Sequence, residues 1–201
     1  YIKPIKTADF QPMQSEDVVI GVNFRSDRMM QIVNALEGKD FDEFERKVRI
    51  EDLVCTGPYS DHLPVAWPAP VVENTIGEVV SDAGFKQLRI AETDKMAHVT
   101  FFFNSQRHEP FSGEERILIE SPKVPNFASK PEMSADELTD VLIENVKEEK
   151  YEFIVCNYAN PDLVGHGADI EAEVIACETV DRNIGRLLPV LEEHGYEWIV
   201  T

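Results

Sequence analysis

The sequence is poor in basic residues. It has 19 Lys and Arg against 38 Asp and Glu, which gives a formal net charge of −19 at pH 7. Such an excess of negative charge repels nucleic-acid backbones and anionic lipid headgroups. We therefore expect no nucleic-acid partner and no membrane partner. The same excess makes any local group of cationic side chains informative, because the overall field of the chain repels anions.

Cysteine is also scarce. Cys55, Cys156 and Cys177 are an odd number and contain no C-x-x-C pair, so reduced thiols in a cytoplasmic protein are the simplest account. The chain contains no apolar run of membrane-spanning length, no signal-peptide pattern, no internal repeat and no low-complexity tract. We expect a soluble, cytoplasmic protein.

Hydrophobic residues make up 43% of the 201 residues, which is typical of a globular protein with a core. The length suits one sizeable domain or a large piece of one. Short β-prone runs alternate with stretches of helical periodicity. The strands are predicted at residues 18–24, 52–56, 86–91, 116–120, 151–156 and 197–201.

This alternation predicts an α/β fold with a mostly parallel sheet and helices on both faces. Thr75 and Ser134 each stand three residues before a Glu, which predicts a capping box at the start of two of the helices. The last predicted strand stops where the chain stops, so its carboxyl end can place no functional loop. We therefore expect the fold to be incomplete in this chain, as part of a larger domain.

Asp162 and His166 follow the apolar run at 151–156, and Pro161 suits the first position of a new helix. Residues four apart share one face of a helix, so the carboxylate and the imidazole are predicted to lie side by side. Such a pair can fill two positions around a divalent metal ion. In the alternative interpretation, Asp162 caps the helix and His166 is an ordinary surface histidine.

Three cationic residues stand near predicted strand ends. Arg25 and Arg28 follow the strand at 18–24, and Lys95 follows the strand at 86–91. Ligands of open α/β sheets bind at the carboxyl ends of the strands, and guanidinium groups suit phosphate or carboxylate. The alternatives are that the arginines pair with Asp27 or other surface carboxylates, and that Lys95 is an ordinary solvated lysine.

Four longer segments carry a resemblance to a known family. They are NFRSDR at 23–28, ENTIGEVVSDAGFKQLRIAETDKMAHVTFFFN at 73–104, SPKVPNFASKPEMSA at 121–135 and NYANPDLVGH at 157–166. In order and spacing they resemble the cofactor-independent (2,3-bisphosphoglycerate-independent) phosphoglycerate mutases of the alkaline phosphatase superfamily. The resemblance covers nearly the whole chain, from about residue 10 to residue 201.

The resemblance implies an enzyme of glycolysis and gluconeogenesis that interconverts 3-phosphoglycerate and 2-phosphoglycerate through a phosphoserine intermediate. It implies two manganese ions in an alkaline-phosphatase-like domain, with Asp162 and His166 among the ligands of one of them. Arg25, Arg28 and Lys95 match positions that bind the phosphoryl group of the substrate. Residues 1–15 match the tail of an inserted phosphotransferase domain and its linker, and residues 16–201 match part of the metal-binding domain.

The family's nucleophilic serine and its remaining metal ligands match no residue of this chain. The resemblance thus implies that the chain ligates one manganese ion in part, that the isolated chain is inactive and that the enzyme is monomeric. Two alternatives remain at this point. One is a metal-dependent phosphohydrolase of the same superfamily, and the other is an inert fragment that binds anions weakly.

Overall fold

The computed structural model describes residues 5–68 and 72–201. The chain forms two compact units, Tyr1–Val71 and Val72–Thr201. Residues 5–15 contain no helix or strand and are exposed to solvent. The first four residues of the predicted linker at 1–15 lie outside the described residues, and its assignment to an inserted domain stays a prediction.

The described residues of the first unit form two parallel strands and one helix. Strand β1 (Val18–Gly21) pairs with strand β2 (Asp52–Cys55), and helix α1 (Ser26–Glu37) connects them. Apolar residues at helical spacing on α1 pack against residues of β2 and of the loops around it. The buried residues of this core are Met29, Val33, Ile50, Leu53, Cys55 and Tyr59.

Strand β1 is shorter than the predicted strand at 18–24. The carbonyl of Gly21 accepts a hydrogen bond from the Thr56 amide at 2.9 Å. Asn23 then turns the chain, because its Oδ1 accepts from the Arg25 amide at 2.9 Å. This local side-chain bond ends the extended conformation and leads directly into α1.

The second unit contains a parallel sheet in the order β4-β3-β5. Its strands are β3 (Gln87–Glu92), β4 (Glu114–Ile119) and β5 (Phe153–Asn157). Its α-helices are α2 (Ile76–Asp82), α3 (Ala135–Lys147), α4 (Asn160–Gly165) and α5 (Ile170–Glu193). A 3₁₀ turn at Thr93–Lys95 and a π-helix at His98–Phe102 follow β3, and a 3₁₀ turn at Phe127–Ser129 precedes α3.

Both faces of the central strand β3 are covered. Leu88 and Ile90 point to one face, where they share a core with α3. Gln87 and Arg89 point to the other face, and Gln87 Nε2 donates to the carbonyl of Gly77 in α2 at 2.8 Å. The predicted α/β class, with parallel strands and helices on both faces, is confirmed.

Arg89 is fully buried on the α2 face of the sheet. Its guanidinium lies 4.7 Å from the ring centroid of Phe103 and 5.2 Å from that of Phe153. It also donates to Gln87 Oε1 at 2.5 Å. Burial lowers the pKa of Arg89 to about 10, although the nearby charge of Glu114 acts in the opposite direction. The aromatic faces and the amide oxygen replace the water that this cation loses.

Two details of the prediction were wrong. Residues 197–201 form no strand, and no strand of the described residues pairs with them. A β-prone sequence becomes a strand only where a neighbouring backbone pairs with it, and Ile199 is 92% exposed. Ser134 precedes α3, but its hydroxyl donates to the carbonyl of Glu120 at 2.7 Å instead of capping the helix.

The capping box at Thr75 is largely confirmed. The Glu78 amide donates to Thr75 Oγ1 at 3.4 Å, and Glu78 Oε2 accepts from the Asn74 amide at 2.7 Å. Gly195, with a φ of 72°, follows the end of α5, where glycine commonly terminates a helix. No helix among residues 5–68 and 72–201 combines the length and the apolar composition needed to cross a membrane.

Gly77 provides a test of the packing between α2 and the sheet. A Cβ atom at Gly77 would lie 2.9 Å from Asn104 Oδ1 and 3.0 Å from Arg89 Nη2. We expect Gly77→Ala to lower the free energy of unfolding by about 1–3 kcal/mol, the usual cost of overpacking a filled core. Urea denaturation followed by circular dichroism measures the change.

Gly185→Ala is the matched control, because a Cβ at this exposed site in α5 would meet no atom of the described residues within 4 Å apart from its chain neighbours and the backbone of its own helix. The control should raise the free energy of unfolding by about 0.5–1 kcal/mol, because Ala is the better helix former. Equal stabilisation by the two substitutions would contradict the close approach of α2 to Arg89.

Candidate functional site

The candidate site lies where β3 and β5 end side by side. The two strands are parallel neighbours, so the segments that follow them leave the sheet at the same edge. The 3₁₀ turn after β3 carries Lys95, and helix α4 after β5 carries Asp162. The polypeptide therefore brings together two residues that are 67 positions apart in the sequence.

Helix α4 is held in place by a buried amide. Asn160 begins the helix, and its Nδ2 donates to the carbonyls of Pro131 at 2.8 Å and Glu132 at 2.7 Å. Pro161 takes the second helical position, one residue later than predicted, where it displaces no intrahelical hydrogen bond. This anchoring fixes the turn of α4 that presents Asp162.

Lys95 and Asp162 form an ion pair. The Lys95 ammonium donates to Asp162 Oδ2; the Lys95 side chain is 8% exposed and that of Asp162 is 51% exposed. The interpretation of Lys95 as a solvated surface lysine is therefore wrong. Burial of an ammonium group is costly unless an anionic partner compensates for the lost water, and Asp162 is such a partner.

His166 lies on the same side of α4 as Asp162, as the four-residue spacing predicts. Its Nε2 is 3.7 Å from Asp162 Oδ1, and its side chain is 66% exposed. The alternative role of Asp162 as the helix cap is wrong, since the N-cap residue is Ala159 and Asp162 lies in the first turn. The two oxygens of Asp162 thus face different groups: Oδ1 faces the imidazole and Oδ2 accepts from Lys95.

The arrangement fits part of a metal site. Oxygen and nitrogen ligands bind divalent transition metals at about 2.0–2.2 Å, so atoms 3.7 Å apart can share one ion that lies between them. A carboxylate and an imidazole are a suitable donor set for zinc, cobalt or manganese. Within residues 5–68 and 72–201, no group of three or more His, Cys, Asp or Glu side chains is arranged to hold an ion. Asp162 and His166 therefore offer two candidate donor atoms, fewer than a divalent ion requires.

Glu92 is a buried carboxylate at the end of β3, three residues before Lys95. Its Oε1 accepts from the Ser134 amide at 3.1 Å, and so it ties the start of α3 to the edge of the sheet where the candidate site lies. Burial raises the pKa of Glu92, and the Ser134 amide acts against this rise. Sequence reasoning missed this residue, although a Glu at the end of an apolar strand was a signal available in the sequence.

Arg25 and Arg28 lie in the first unit, at the beginning of α1. Arg25 is the N-cap residue and Arg28 lies in the first turn, and both are exposed. The amino end of a helix attracts anions through its free backbone amides and its dipole, and two guanidinium groups strengthen that attraction. The side chain of Asp27, their predicted alternative partner, lies outside the described residues.

Comparisons with known proteins identify the family to which the chain is similar. A family model described as Metalloenzyme superfamily matches residues 17–201. A 2,3-bisphosphoglycerate-independent phosphoglycerate mutase of Nitrosococcus oceani is 49% identical over 189 residues, which are 92% of this chain and 37% of that protein. The mutase of the same description from Moorella thermoacetica is 46% identical over 209 residues, with 100% of this chain and 40% of that protein covered.

A solved structure also matches. The crystal structure of Leishmania mexicana phosphoglycerate mutase at low cobalt concentration is 29% identical, with a TM-score of 0.75, and the match covers 90% of this chain and 34% of that one. The chain spans about two fifths of the length of the curated relatives. The predicted resemblance to the cofactor-independent phosphoglycerate mutases is confirmed. Since the family model covers most of the sequence, including every predicted site residue, the chain belongs to the Metalloenzyme superfamily.

Proposed function

We propose that the protein carrying this chain is a phosphoglycerate mutase that interconverts 3-phosphoglycerate and 2-phosphoglycerate through a phosphoserine intermediate. The observation that carries the proposal is the position of Asp162, with Lys95 on one oxygen and His166 facing the other. A phosphoryl-transfer site needs cations that hold the phosphoryl group and ligands that hold a metal ion close to it. This cluster offers one cation, Lys95, and two candidate metal ligands, Asp162 and His166.

Asp162 and His166 are proposed as ligands of a divalent ion, with manganese as the expected metal. When bound, such an ion would lower the pKa of a hydroxyl nucleophile and neutralise charge on the transferring oxygens. The chain's own contribution is positional. Asn160 fixes the first turn of α4, and the four-residue spacing then keeps the carboxylate and the imidazole on one side of the helix.

Lys95, Arg25 and Arg28 are proposed to bind the phosphoryl group of the substrate. The buried ammonium of Lys95 is a point charge at the carboxyl end of the central strand, and the arginines add planar forks of donors at the amino end of α1. In a chain with a net charge of −19, such cations are needed to make any site attractive to a phosphate ester.

His166→Ala tests the metal role. We expect the full-length protein to lose manganese-dependent isomerisation by at least about a hundredfold, because removal of a ligand weakens the metal and misplaces it. The loss should accompany a lower manganese content, measured by atomic emission after gel filtration. Activity assays that follow 2-phosphoglycerate formation give the kinetic part.

His108→Ala is the control for the loss of a histidine. His108 is exposed, its ring lies 4.5 Å from that of Phe101, and it is not a proposed ligand. The control should keep both manganese and activity. Full activity and full manganese content in His166→Ala would rule out His166 as a ligand.

Arg25→Ala and Arg28→Ala test the phosphate role. Each change should reduce kcat/KM by roughly 10²–10³-fold, because a charge-assisted contact to the transferring group is lost, while the manganese content stays unchanged. Lys39→Ala, which removes an exposed cation just after the carboxyl end of the same helix, should have little effect. A uniform loss in all three variants would indicate a long-range charge effect and contradict direct binding.

A metal-dependent phosphohydrolase is the second candidate. Asp162 and His166 are more than half exposed in the chain, so a site that stayed open to solvent would let water accept the phosphoryl group. Incubation of the full-length protein with 3-phosphoglycerate separates the two functions. We expect 2-phosphoglycerate to form much faster than inorganic phosphate; predominant release of phosphate would favour the hydrolase.

A further inference from the structure

The carboxylate of Asp162 lies between two groups of the candidate site, Lys95 and His166. Asp162 Oδ2 accepts from the Lys95 ammonium, and Asp162 Oδ1 faces His166 Nε2 at 3.7 Å. If His166 and Asp162 ligate a metal ion, the ion and the ammonium share a single carboxylate. Two cations on the same carboxylate are separated by a few ångströms, where their repulsion is strong and poorly screened by salt.

Lys95 cannot simply turn into solvent when the ion arrives. Its side chain is 8% exposed, and it stands on a short 3₁₀ turn directly after the buried end of β3. The burial of the Lys95 side chain therefore keeps its ammonium close to Asp162. A buried ammonium that loses its carboxylate needs another anion, because an unpaired buried charge is strongly destabilising.

We propose that Lys95 and the metal compete for Asp162, and that Lys95 exchanges this carboxylate for the phosphoryl group when the metal binds. This inference rests on the proposed function, because it takes Asp162 and His166 as ligands and Lys95 as a phosphate-binding residue. Lys95 then pairs with Asp162 only while no metal ion is bound. It weakens metal binding on its own, and it makes metal binding and phosphate binding support each other.

The direction of the change in Mn²⁺ affinity on removal of Lys95 distinguishes competition with the metal from simple orientation of the Asp162 carboxylate. If Lys95 only orients the Asp162 carboxylate, its removal should weaken metal binding, because the ligand becomes less ordered. If Lys95 competes with the metal, its removal should strengthen metal binding in the absence of phosphate. Charge repulsion and ligand order therefore predict opposite changes in the same dissociation constant.

The experiment is a manganese titration of the full-length, metal-stripped protein, with free Mn²⁺ measured by its EPR signal. Without phosphate, Lys95→Met should bind Mn²⁺ about five- to tenfold more tightly than the wild type, a change at the lower end of common coupling strengths. Met keeps an unbranched apolar stem and removes the charge. Lys95→Gln should shift the affinity in the same direction, which guards against a folding effect of one variant.

Lys130→Met is the matched charge control. Lys130 is exposed and close enough to Glu92 to lower the pKa of that carboxyl, so it lies near the same end of β3. Removal of this cation reports the general effect of one lost positive charge near the site. The inference requires that Lys95→Met strengthens Mn²⁺ binding clearly more than Lys130→Met does.

A second arm repeats the titrations with inorganic phosphate as the probe. Phosphate should tighten Mn²⁺ binding to the wild type, and by linkage Mn²⁺ should tighten phosphate binding by the same factor. This coupling factor should shrink in Lys95→Met. Weaker or unchanged Mn²⁺ affinity in Lys95→Met, or an undiminished coupling factor, would overturn the exchange of partners.

Asp162→Asn distinguishes the failure of this inference from the failure of the proposed function. If Asp162→Asn leaves Mn²⁺ binding intact, Asp162 is not a ligand. The proposed metal role of Asp162 and the competition with Lys95 are then both refuted. If Asp162→Asn greatly weakens Mn²⁺ binding while Lys95→Met behaves as the wild type, the ligand assignment stands and the competition alone is refuted.

Discussion

The parallel pairing of β3 with β5 is the constraint on which the site depends. It sets Gln87 beside Phe153 and Ala91 beside Asn157, so both strands end at one edge of the sheet. The segments that follow must then leave the sheet close together, and the ammonium of one meets the carboxylate of the other. An antiparallel neighbour would have put these two segments at opposite edges. The hydrophobic contacts of Leu88 and Ile90 with α3 hold the central strand in this register.

Local patterns in the sequence were enough to predict the elements of this arrangement. Apolar runs predicted the five strands of the described residues to within three residues at either end, and the spacing of Asp162 and His166 predicted their common side of α4. These predictions succeed because the periodicity of a helix or strand is determined by adjacent residues. The position of Lys95 after a strand was also visible, but its burial and its partner were not. Both depend on the strand order β4-β3-β5, which no short-range pattern encodes.

The errors have the same physical origin. Residues 197–201 have the composition of a strand, yet a strand requires a neighbouring backbone, and none of the described residues supplies it. Ser134 has the spacing of a capping box, but the carbonyl of Glu120 competes for its hydroxyl, while its amide donates to the buried Glu92. In both cases a distant segment determines the outcome. The same is true of Glu92, a polar residue of the candidate site that the sequence did not single out.

Burial also explains how an acidic chain can give a cation one specific environment. An exposed lysine among 38 acidic side chains would pair with whichever carboxylate lies nearest, and the overall field repels anions. Lys95 avoids this competition because it is enclosed at the end of the sheet, where it pairs with Asp162. Arg89 shows a different solution on the same strand, since aromatic rings compensate for its lost water and keep it out of the ion-pair network of the surface. The difference lies in the partner, because two aromatic rings cannot be replaced by a ligand, whereas the proposed exchange would let Lys95 give up Asp162 for a phosphoryl group when a metal ion binds. In that proposal, the half-exposed Asp162 makes Lys95 an anion site only in the metal-bound state, and the pairing of β3 with β5 brings the two residues together.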